Sequence, residues 1–318
     1  MFTHLLIDEA AQATEPELVI PISIMIPDPK TNHLQELPQI LICGDIKQLG
    51  PKVVSELSRR LGLDLSFLQR LLECKASADS NTRLLHPCPK TITCIYSCMR
   101  IKLTKNYRSH PSILMLPSTL FYNDALEPYA PKEIQNTELL NWNRLPKKGC
   151  PIIFKNVSFA EDWVDEGSSW YNIGESEIVV GFVIELMKQS SESIKKLMGL
   201  KPSQISIITP FREQVWVIRL ALRKIGLSDV DVGTVESLQG GENRVVIVST
   251  VRSHHKKHIE DDRRRDRGLI FEAQRFNVTL TRPKELLIVV GNAETLTVDP
   301  YWRSFYHVSD HPSKRTLR

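Results

Sequence analysis

Long apolar runs and paired cysteines are both missing from this sequence. No apolar run reaches the roughly 18 residues of a membrane-spanning helix, and no cationic start followed by an apolar stretch marks a secretion signal. The 6 cysteines include no Cys-x-x-Cys pair, which is the spacing typical of metal sites and redox motifs. These absences argue against a membrane protein or a disulfide framework and predict a soluble, intracellular protein with reduced thiols.

A large excess of one charge is also missing. The 41 Lys and Arg residues against 37 Asp and Glu residues give a net charge of +4, which permits nucleic-acid binding through a local patch but does not argue for it. The 318 residues, 42% hydrophobic and 25% charged, are enough for two globular domains at ~150 residues each. Evidence for function must therefore come from motifs.

The first residues follow a β-α-β pattern. An apolar run at Phe2–Ile7 ends in Asp8-Glu9, and a second run at Gln39–Cys43 ends in Gly44-Asp45. Between them, Glu15–Pro21 has the proline position of a helix start. Strands of a parallel sheet bind ligands at their carboxyl ends, so both acidic segments are expected where ligands bind. The first strand begins next to Met1, and we expect this first domain to be incomplete at its N-terminus.

An irregular segment at about residues 73–100 separates this region from a second one. It is rich in Ser, Asn, Thr and Cys and predicts an inserted loop, in which we favour ordinary thiols over a zinc site for Cys74, Cys88, Cys94 and Cys98. Helical and strand-like segments alternate after it, with helices at Glu175–Lys188 and Gln214–Lys224 and strands at Ile205–Ile208, Val245–Thr250 and Leu286–Val290. We therefore predict an α/β chain with domains at 1–105 and 106–306 and a tail at 307–318.

A run of mixed charge lies between Ser253 and Gly268. It contains three histidines, several Lys and Arg residues and four acidic residues, so both signs are present. Such a run is typical of a solvated or disordered loop, which we favour over an RNA clamp.

Three segments of the first 111 residues carry groups suited to phosphate chemistry. Adjacent carboxylates such as Asp8 and Glu9 can hold Mg²⁺ through its hydration shell and orient an attacking water, although a lone pair is more often a surface feature. Gln48, in a glycine-containing loop, can bond a γ-phosphate or that water. Arg108, in the loop 106–111, can donate two parallel hydrogen bonds to phosphate oxygens.

Two later segments are also polar. Val232–Glu242 is a glycine-rich loop that leads into a strand. Gln274–Arg282 places Arg275 and Arg282 seven residues apart, so that on a helix they would share a face after about two turns. Each segment is a weak signal alone.

In their order along the chain, these segments resemble motifs II, III, IV, V and VI of superfamily-1 helicases. Thr209–Gln214 resembles the strand-end segment of the second motor domain that faces nucleic acid. Asp-Glu-Ala-Ala-Gln at 8–12, Asn-Tyr-Arg-Ser-His-Pro at 106–111 and Ser-Thr-Val-Arg-Ser at 249–253 are similar to the up-frameshift-like branch, above all to its Armitage-type (Moloney leukaemia virus ten-like) RNA-silencing helicases. The resemblance runs from Phe2 to about Tyr306.

This resemblance implies an ATP-dependent RNA helicase with tandem RecA-like domains that acts on single-stranded RNA. It further implies a cytoplasmic protein, often in ribonucleoprotein granules, that works with Argonaute- or Piwi-class silencing proteins and not with a membrane. The residues that would act on ATP and Mg²⁺ are Asp8, Glu9, Gln12, Gln48, Arg108, Gly240, Glu242, Arg275 and Arg282. Those that would line the RNA track are Ser109, Pro210, Phe211 and Thr234.

The implied roles differ among these residues. Asp8 would hold Mg²⁺ through water and Glu9 would orient the attacking water, while Gln12 and Gln48 would sense the γ-phosphate. Arg108 and Arg282 would be the arginine fingers. Arg275 would support the phosphate side of the ATP-binding cleft, and Glu242 would reach the ribose hydroxyl of the nucleotide. Phe211 would offer its ring to a base.

The sequence departs from the family pattern at two places. Gly241 stands where the branch usually has Gln or Arg, and the sequence contains no Gly-Lys dipeptide. A loop of backbone N–H groups with a lysine supplies most of the ground-state nucleotide affinity of these motors. We therefore expect the 318-residue chain alone to bind ATP poorly. The alternative is a non-catalytic RNA-binding or scaffold protein that retains the helicase fold.

Overall fold

The computed structural model describes residues 2–25, 38–73, 101–164, 169–191, 199–253, 256–264 and 268–310. The chain divides into two units, Met1–Leu103 and Thr104–Arg318. Most of the insert expected at about 73–100, including its four cysteines, lies outside the described residues. Among the described helices, none is both long and apolar enough to cross a membrane.

Unit 1 contains the predicted β-α-β arrangement. Its elements are β1 (His4–Ile7), α1 (Glu15–Met25), β2 (Gln39–Ile42), α2 (Glu56–Arg60) and α3 (Phe67–Glu73). The two strands pair in parallel, with His4 opposite Gln39 and Ile7 opposite Ile42. Ala10, Ala11, Leu18 and Leu68 form the small buried core beside them. The strand ends of unit 1 therefore lie side by side, as the apolar runs predicted.

Unit 2 is the larger α/β unit. Its first elements are β3 (Lys105–Asn106), α4 (Pro111–Tyr122), β4 (Glu127–Pro128), α5 (Lys132–Gln135), β5 (Ile152–Asn156), β6 (Asp162–Val164), β7 (Ser169–Tyr171) and α6 (Ile173–Ser191). These are followed by β8 (Ile205–Ile208), α7 (Arg212–Lys224), β9 (Asp231–Gly233), β10 (Asn243–Ser249), α8 (Lys256–Arg264), α9 (Ala273–Leu280), β11 (Pro283–Gly291), α10 (Ala293–Leu296) and α11 (Pro300–Asp310). The last helix continues past Tyr306.

A five-stranded parallel sheet forms the centre of unit 2. Its strand order is β5-β11-β10-β8-β9. The inner strands are continuous apolar runs because helices cover both faces of such a sheet. Ile207, Ile247 and Ile288 of the sheet are fully buried together with Val183 of α6 and Ile218 of α7. Each such side chain contributes about 1.5–3 kcal/mol by leaving water. The predicted α/β fold with a parallel RecA-like sheet is confirmed.

The helical prediction for Arg282 is wrong. Helix α9 ends at Leu280, Thr281 follows as its C-cap with φ −97° and ψ 3°, and β11 begins at Pro283. The proline disfavours the α conformation at the residue before it, which is Arg282. Arg275 therefore lies on the helix and Arg282 lies in the turn after it, so they do not share a helix face.

The loop prediction for the mixed-charge segment is also wrong where the structure describes it. Residues Lys256–Arg264 form helix α8, while 254–255 and 265–267 lie outside the described residues. Asp262 of this helix is buried and its carboxylate accepts two hydrogen bonds from Arg252, at 2.6 and 2.8 Å. This buried ion pair fixes the helix to the sheet, which charge counting along the sequence could not indicate.

Candidate functional site

The carboxyl ends of β1 and β2 carry the predicted acidic residues of unit 1. The backbone N–H of Ala10 donates to the Cys43 carbonyl over 2.9 Å, which holds the two strand ends together. Glu9 has a φ of 52°, an uncommon conformation for a residue with a side chain, so the turn after β1 is tight. A side chain at Gly44 would have its Cβ 2.9 Å from the backbone nitrogen of Ala11, so only glycine fits there.

Local hydrogen bonds hold the predicted glutamine side chains of this edge. Gln12 donates from Nε2 to Oε2 of Glu9 over 2.9 Å, and Gln48 donates from Nε2 to Oδ2 of Asp45 over 3.1 Å. Asp8 and Glu9 are both exposed. The sequence placed Asp45 at the ligand-binding end of the second strand but gave this residue no role of its own.

The amino ends of β10 and β11 carry a charged trio in unit 2. Arg108 donates from Nε to Oε2 of Glu242 over 2.5 Å, and the Nζ atom of Lys284 lies 2.6 Å from Oε1 of the same carboxylate. Arg108 also donates from Nη1 to the Thr281 carbonyl over 3.3 Å. The hydrogen bond from Lys284, with that from Arg108, holds the pKa of Glu242 below its ordinary value although partial burial opposes this. Sequence reasoning missed Lys284, whose only signal was its place two residues after Arg282.

The other two predicted arginines lie in the same region of unit 2. Arg282 is 3% exposed and donates from Nη1 to the Gly241 carbonyl over 3.0 Å. Gly240 in the same loop has a φ of 79°, which favours glycine. Arg275 donates from Nε to Oε1 of Glu236 over 2.9 Å. Burial is the largest single influence and raises the pKa of Glu236, but the charge and hydrogen bond of Arg275, together with hydrogen bonds from the Glu236 backbone and the Thr234 side chain, outweigh it. The pKa of this carboxyl therefore lies below its ordinary value.

Three of the predicted RNA residues meet at the opposite edge of the unit 2 sheet. Pro210 and Phe211 follow β8 and Thr234 follows β9, and the backbone N–H of Thr209 donates to the Gly233 carbonyl over 3.1 Å. Pro210 and Thr234 are partly exposed. This carboxyl edge of β8 and β9 is where α/β sheets bind ligands.

Ser109 does not lie with these three. It is 1% exposed, and its hydroxyl donates to the carbonyl of Pro283, the first residue of β11, over 2.8 Å. The length of the strand separates that position from the carboxyl edge by roughly 20 Å. The expectation that Ser109 lines one track with Pro210 and Thr234 is therefore corrected.

The expectation for Phe211 is corrected as well. Its side chain is 5% exposed and packs with Trp170 and Val251, and the guanidinium carbon of Arg252 lies 5.0 Å from its ring centre. The residue is the N-cap of α7 and directs its ring inward beneath Arg252. Its ring is covered and has no face open to a base.

A buried carboxyl that sequence reasoning missed lies below this edge. Glu175, near the start of α6, accepts hydrogen bonds from the Ser249 hydroxyl over 2.6 Å and from the Val251 backbone N–H over 2.8 Å. Burial raises the pKa of Glu175 to about 7. Val251 has a φ of 69°, a strained conformation for a β-branched residue. The network therefore fixes the unusual turn after β10.

Residues 1–56 and 66–294 match the AAA domain family. The second match covers most of the chain. The chain belongs to the AAA domain family.

Three relatives of this AAA domain chain are helicases by name. It is 42% identical to RNA helicase Mov10l1 of Homo sapiens over 94% of its own length and 23% of that protein. It is 37% identical to the putative helicase MOV-10 of Gallus gallus, over 96% of the chain and 31% of that protein. With the probable RNA helicase armi of Drosophila melanogaster the identity is 31%, over 95% of the chain and 24% of that protein. The chain thus spans under a third of these relatives, and its resemblance to Armitage-type RNA helicases is confirmed.

The AAA domain chain has side chains that fit a nucleotide and Mg²⁺. Asp8 and Glu9 offer exposed carboxylate oxygens, the ligand type that Mg²⁺ prefers, at the end of a parallel strand. Arg108 and Lys284 flank a single carboxylate, so cations outnumber anions in that trio. An excess of cationic hydrogen-bond donors favours binding of negatively charged phosphate oxygens.

Proposed function

We propose that this chain is the motor portion of an ATP-dependent RNA helicase that moves along single-stranded RNA. The observation that carries the proposal is the trio of Arg108, Glu242 and Lys284, whose side chains are only partly buried. A guanidinium held by one carboxylate beside a second cation is oriented before phosphate arrives. Electrostatic catalysis works through groups placed in advance where charge develops.

The proposed roles follow phosphoryl-transfer chemistry. Asp8 holds hydrated Mg²⁺ and Glu9 orients the attacking water, with Gln12 and Gln48 bonded to neighbouring acids in unit 1. Arg108 and Arg282 neutralise charge as the γ-phosphoryl group transfers. Bound ATP would supply the reacting phosphoryl group, and Mg²⁺ would supply positive charge beside it.

We also propose that the 318-residue chain by itself does not hydrolyse ATP. Its sequence contains no Gly-Lys dipeptide and therefore no phosphate-binding loop of the Gly-x-x-x-x-Gly-Lys type. An arginine finger acts only on nucleotide that is already held. The groups that act on the γ-phosphate therefore need a nucleotide-holding loop from elsewhere.

Single-stranded RNA is proposed to contact the carboxyl edge of β8 and β9, where Pro210 and Thr234 are partly exposed. Binding of a labelled single-stranded RNA to the chain, measured from low to high salt, tests this. We expect log affinity to fall linearly with log salt because phosphate contacts release counterions. An affinity that does not change with salt concentration, or no binding at all, would contradict the proposal. RNA binding without hydrolysis, even when a phosphate-binding loop is supplied, would support the non-catalytic scaffold instead.

We further propose a role in small-RNA-mediated silencing in the cytoplasm, including ribonucleoprotein granules, with an Argonaute- or Piwi-class partner. The support is the confirmed resemblance to Armitage-type helicases. Recovery of an Argonaute-class protein with the tagged chain from cytoplasmic extract, before and after ribonuclease, tests it. Recovery that survives ribonuclease is expected, and its absence from both samples would contradict the proposal.

A further inference from the structure

Four side chains of unit 2 form a continuous stack from the core to the surface. The Arg252 guanidinium carbon lies 5.0 Å from the Phe211 ring centre and 3.9 Å from the Trp170 ring centre. The centre of the Trp163 ring lies 5.4 Å from that of Trp170, with the two ring planes tilted by 52°. These separations are those of favourable aromatic and cation–π contacts.

Two neighbouring helices and Glu161 fix this stack. Arg252 is held by Asp262 of α8 at 2.6 Å, with a carboxylate oxygen of Glu161 at 4.0 Å. The ring of His258, also on α8, lies 4.5 Å from that of Trp170. The backbone N–H of Glu213 at the start of α7 donates to the hydroxyl of Ser169 in β7 over 3.1 Å. The Trp163 ring therefore packs against side chains that hydrogen bonds and ion pairs hold in place.

Trp163 is the only member of the stack that is open to solvent. It is 51% exposed, whereas Phe211, Arg252 and Trp170 are buried. A tryptophan ring that packs against a buried ring and is half exposed to solvent can stack with a nucleic-acid base. The sequence led to Phe211 as the base contact, but the structure covers that ring and leaves a different aromatic open at the other end of the same stack.

The charges around Trp163 favour a base over a phosphate at this point. Asp162 is exposed, and its Oδ1 accepts a hydrogen bond from the Trp163 backbone N–H over 2.8 Å. The two helices that hold the stack carry exposed cations, which are Arg212 at the start of α7 and Arg263 on α8. The carboxylate of Asp262 is turned inward onto Arg252, so it adds no exposed negative charge.

We propose that Trp163 is a base-stacking contact for single-stranded RNA, on the β6–β7 pair of unit 2. The inference rests on the proposed function, since it adds a second contact to the one proposed for single-stranded RNA at the carboxyl edge of β8 and β9. Stacking reads no particular sequence because every base has a flat face. The contact therefore adds affinity without adding phosphate contacts.

The test uses the 318-residue chain and two labelled probes, a uridine oligomer and an abasic oligomer of equal length. Trp163→Ala is expected to weaken binding of the uridine oligomer by about 5- to 150-fold and to leave the abasic oligomer unaffected. The loss should be the same at every salt concentration because no counterion release is changed. Trp163→Phe should retain most of the affinity, which guards against a folding defect. Trp216→Ala is the matched control, since Trp216 is 52% exposed on the solvent side of α7.

Each outcome decides the inference. A loss confined to Trp163→Ala and to the uridine probe supports it. Salt-dependent binding that is unchanged in Trp163→Ala overturns it and leaves the proposed function standing, as does an equal loss in Trp216→Ala. If Trp163→Ala instead abolishes capture of a protein partner with RNA binding intact, the surface serves protein and the inference is overturned. Absence of RNA binding by the unchanged chain overturns both proposals.

Discussion

Lys284 and Glu242 form an ion pair at the amino ends of adjacent strands, with Nζ 2.6 Å from Oε1. The other carboxylate oxygen accepts from Arg108. Lys284 and Arg108 thus share one carboxylate, and Lys284 helps to fix the Glu242 side chain that orients the Arg108 guanidinium. We therefore assign Lys284 a positioning role.

Replacing Lys284 by Met should raise the pKa of Glu242, because the hydrogen bond from Lys284 is the largest cause of its depression. A carboxyl with a depressed folded pKa stabilises the fold above its unfolded pKa of about 4.3, and this contribution disappears as pH falls through the folded pKa. The variant should therefore lose less stability on acidification. Carboxyl NMR titration of Glu242 measures the shift. Arg264→Met, which removes an exposed pair with Glu260, is the control and should leave Glu242 unchanged.

Replacing Arg252 by Met should destabilise unit 2 by about 3–5 kcal/mol, because it leaves the carboxylate of Asp262 buried without its partner. Urea unfolding measures the free energy. Arg264→Met on the same helix should change it by less than about 0.5 kcal/mol, since its partner is exposed. Equal effects of the two variants would show that the stack does not anchor α8.

Replacing Glu175 by Gln should remove a pH-dependent part of the stability. Burial raises the pKa of Glu175 to about 7. The folded chain therefore binds this proton more tightly than the unfolded chain, whose Glu has a pKa of about 4.3, so the contribution is fully present below pH ~4 and is lost as pH rises to about 7. Its size is on the order of 3 kcal/mol. Unfolding free energies of both proteins from pH 5 to 8 measure it, and a constant difference between them would contradict the assignment.

The sequence predicted the fold because buried parallel strands are read directly from apolar runs such as Ile205–Ile208. It also predicted which loops follow which strands. It could not predict that the Ser109 hydroxyl faces Pro283, because motif order along the chain does not say which end of a sheet a residue meets. Whether Phe211 or Trp163 is the open ring depends on where Arg252 lies, which is a matter of packing.

Two parts of the site had almost no signal in the sequence. Lys284 matters only because β10 and β11 are neighbours, which brings it to Glu242 across the sheet. Helix α8 lies in a segment whose mixed charges are typical of loops. Its residue Asp262 forms an ion pair with the buried Arg252, which holds the helix in place. Both contacts depend on how strands and helices pack, which spacing along the chain does not encode.

RNA-stimulated ATP hydrolysis tests the central claim most directly, in a form of the chain to which a phosphate-binding loop has been supplied. Single-stranded RNA should raise the rate, Glu9→Gln should abolish turnover with ATP and RNA still bound, and Arg282→Ala should lower it by about 10³-fold. Glu56→Gln, an exposed acid of unit 1 paired with Arg60, should have no effect. A rate of ATP hydrolysis that RNA does not raise, or that Glu9→Gln does not lower, would contradict the assignment of this chain to a helicase motor.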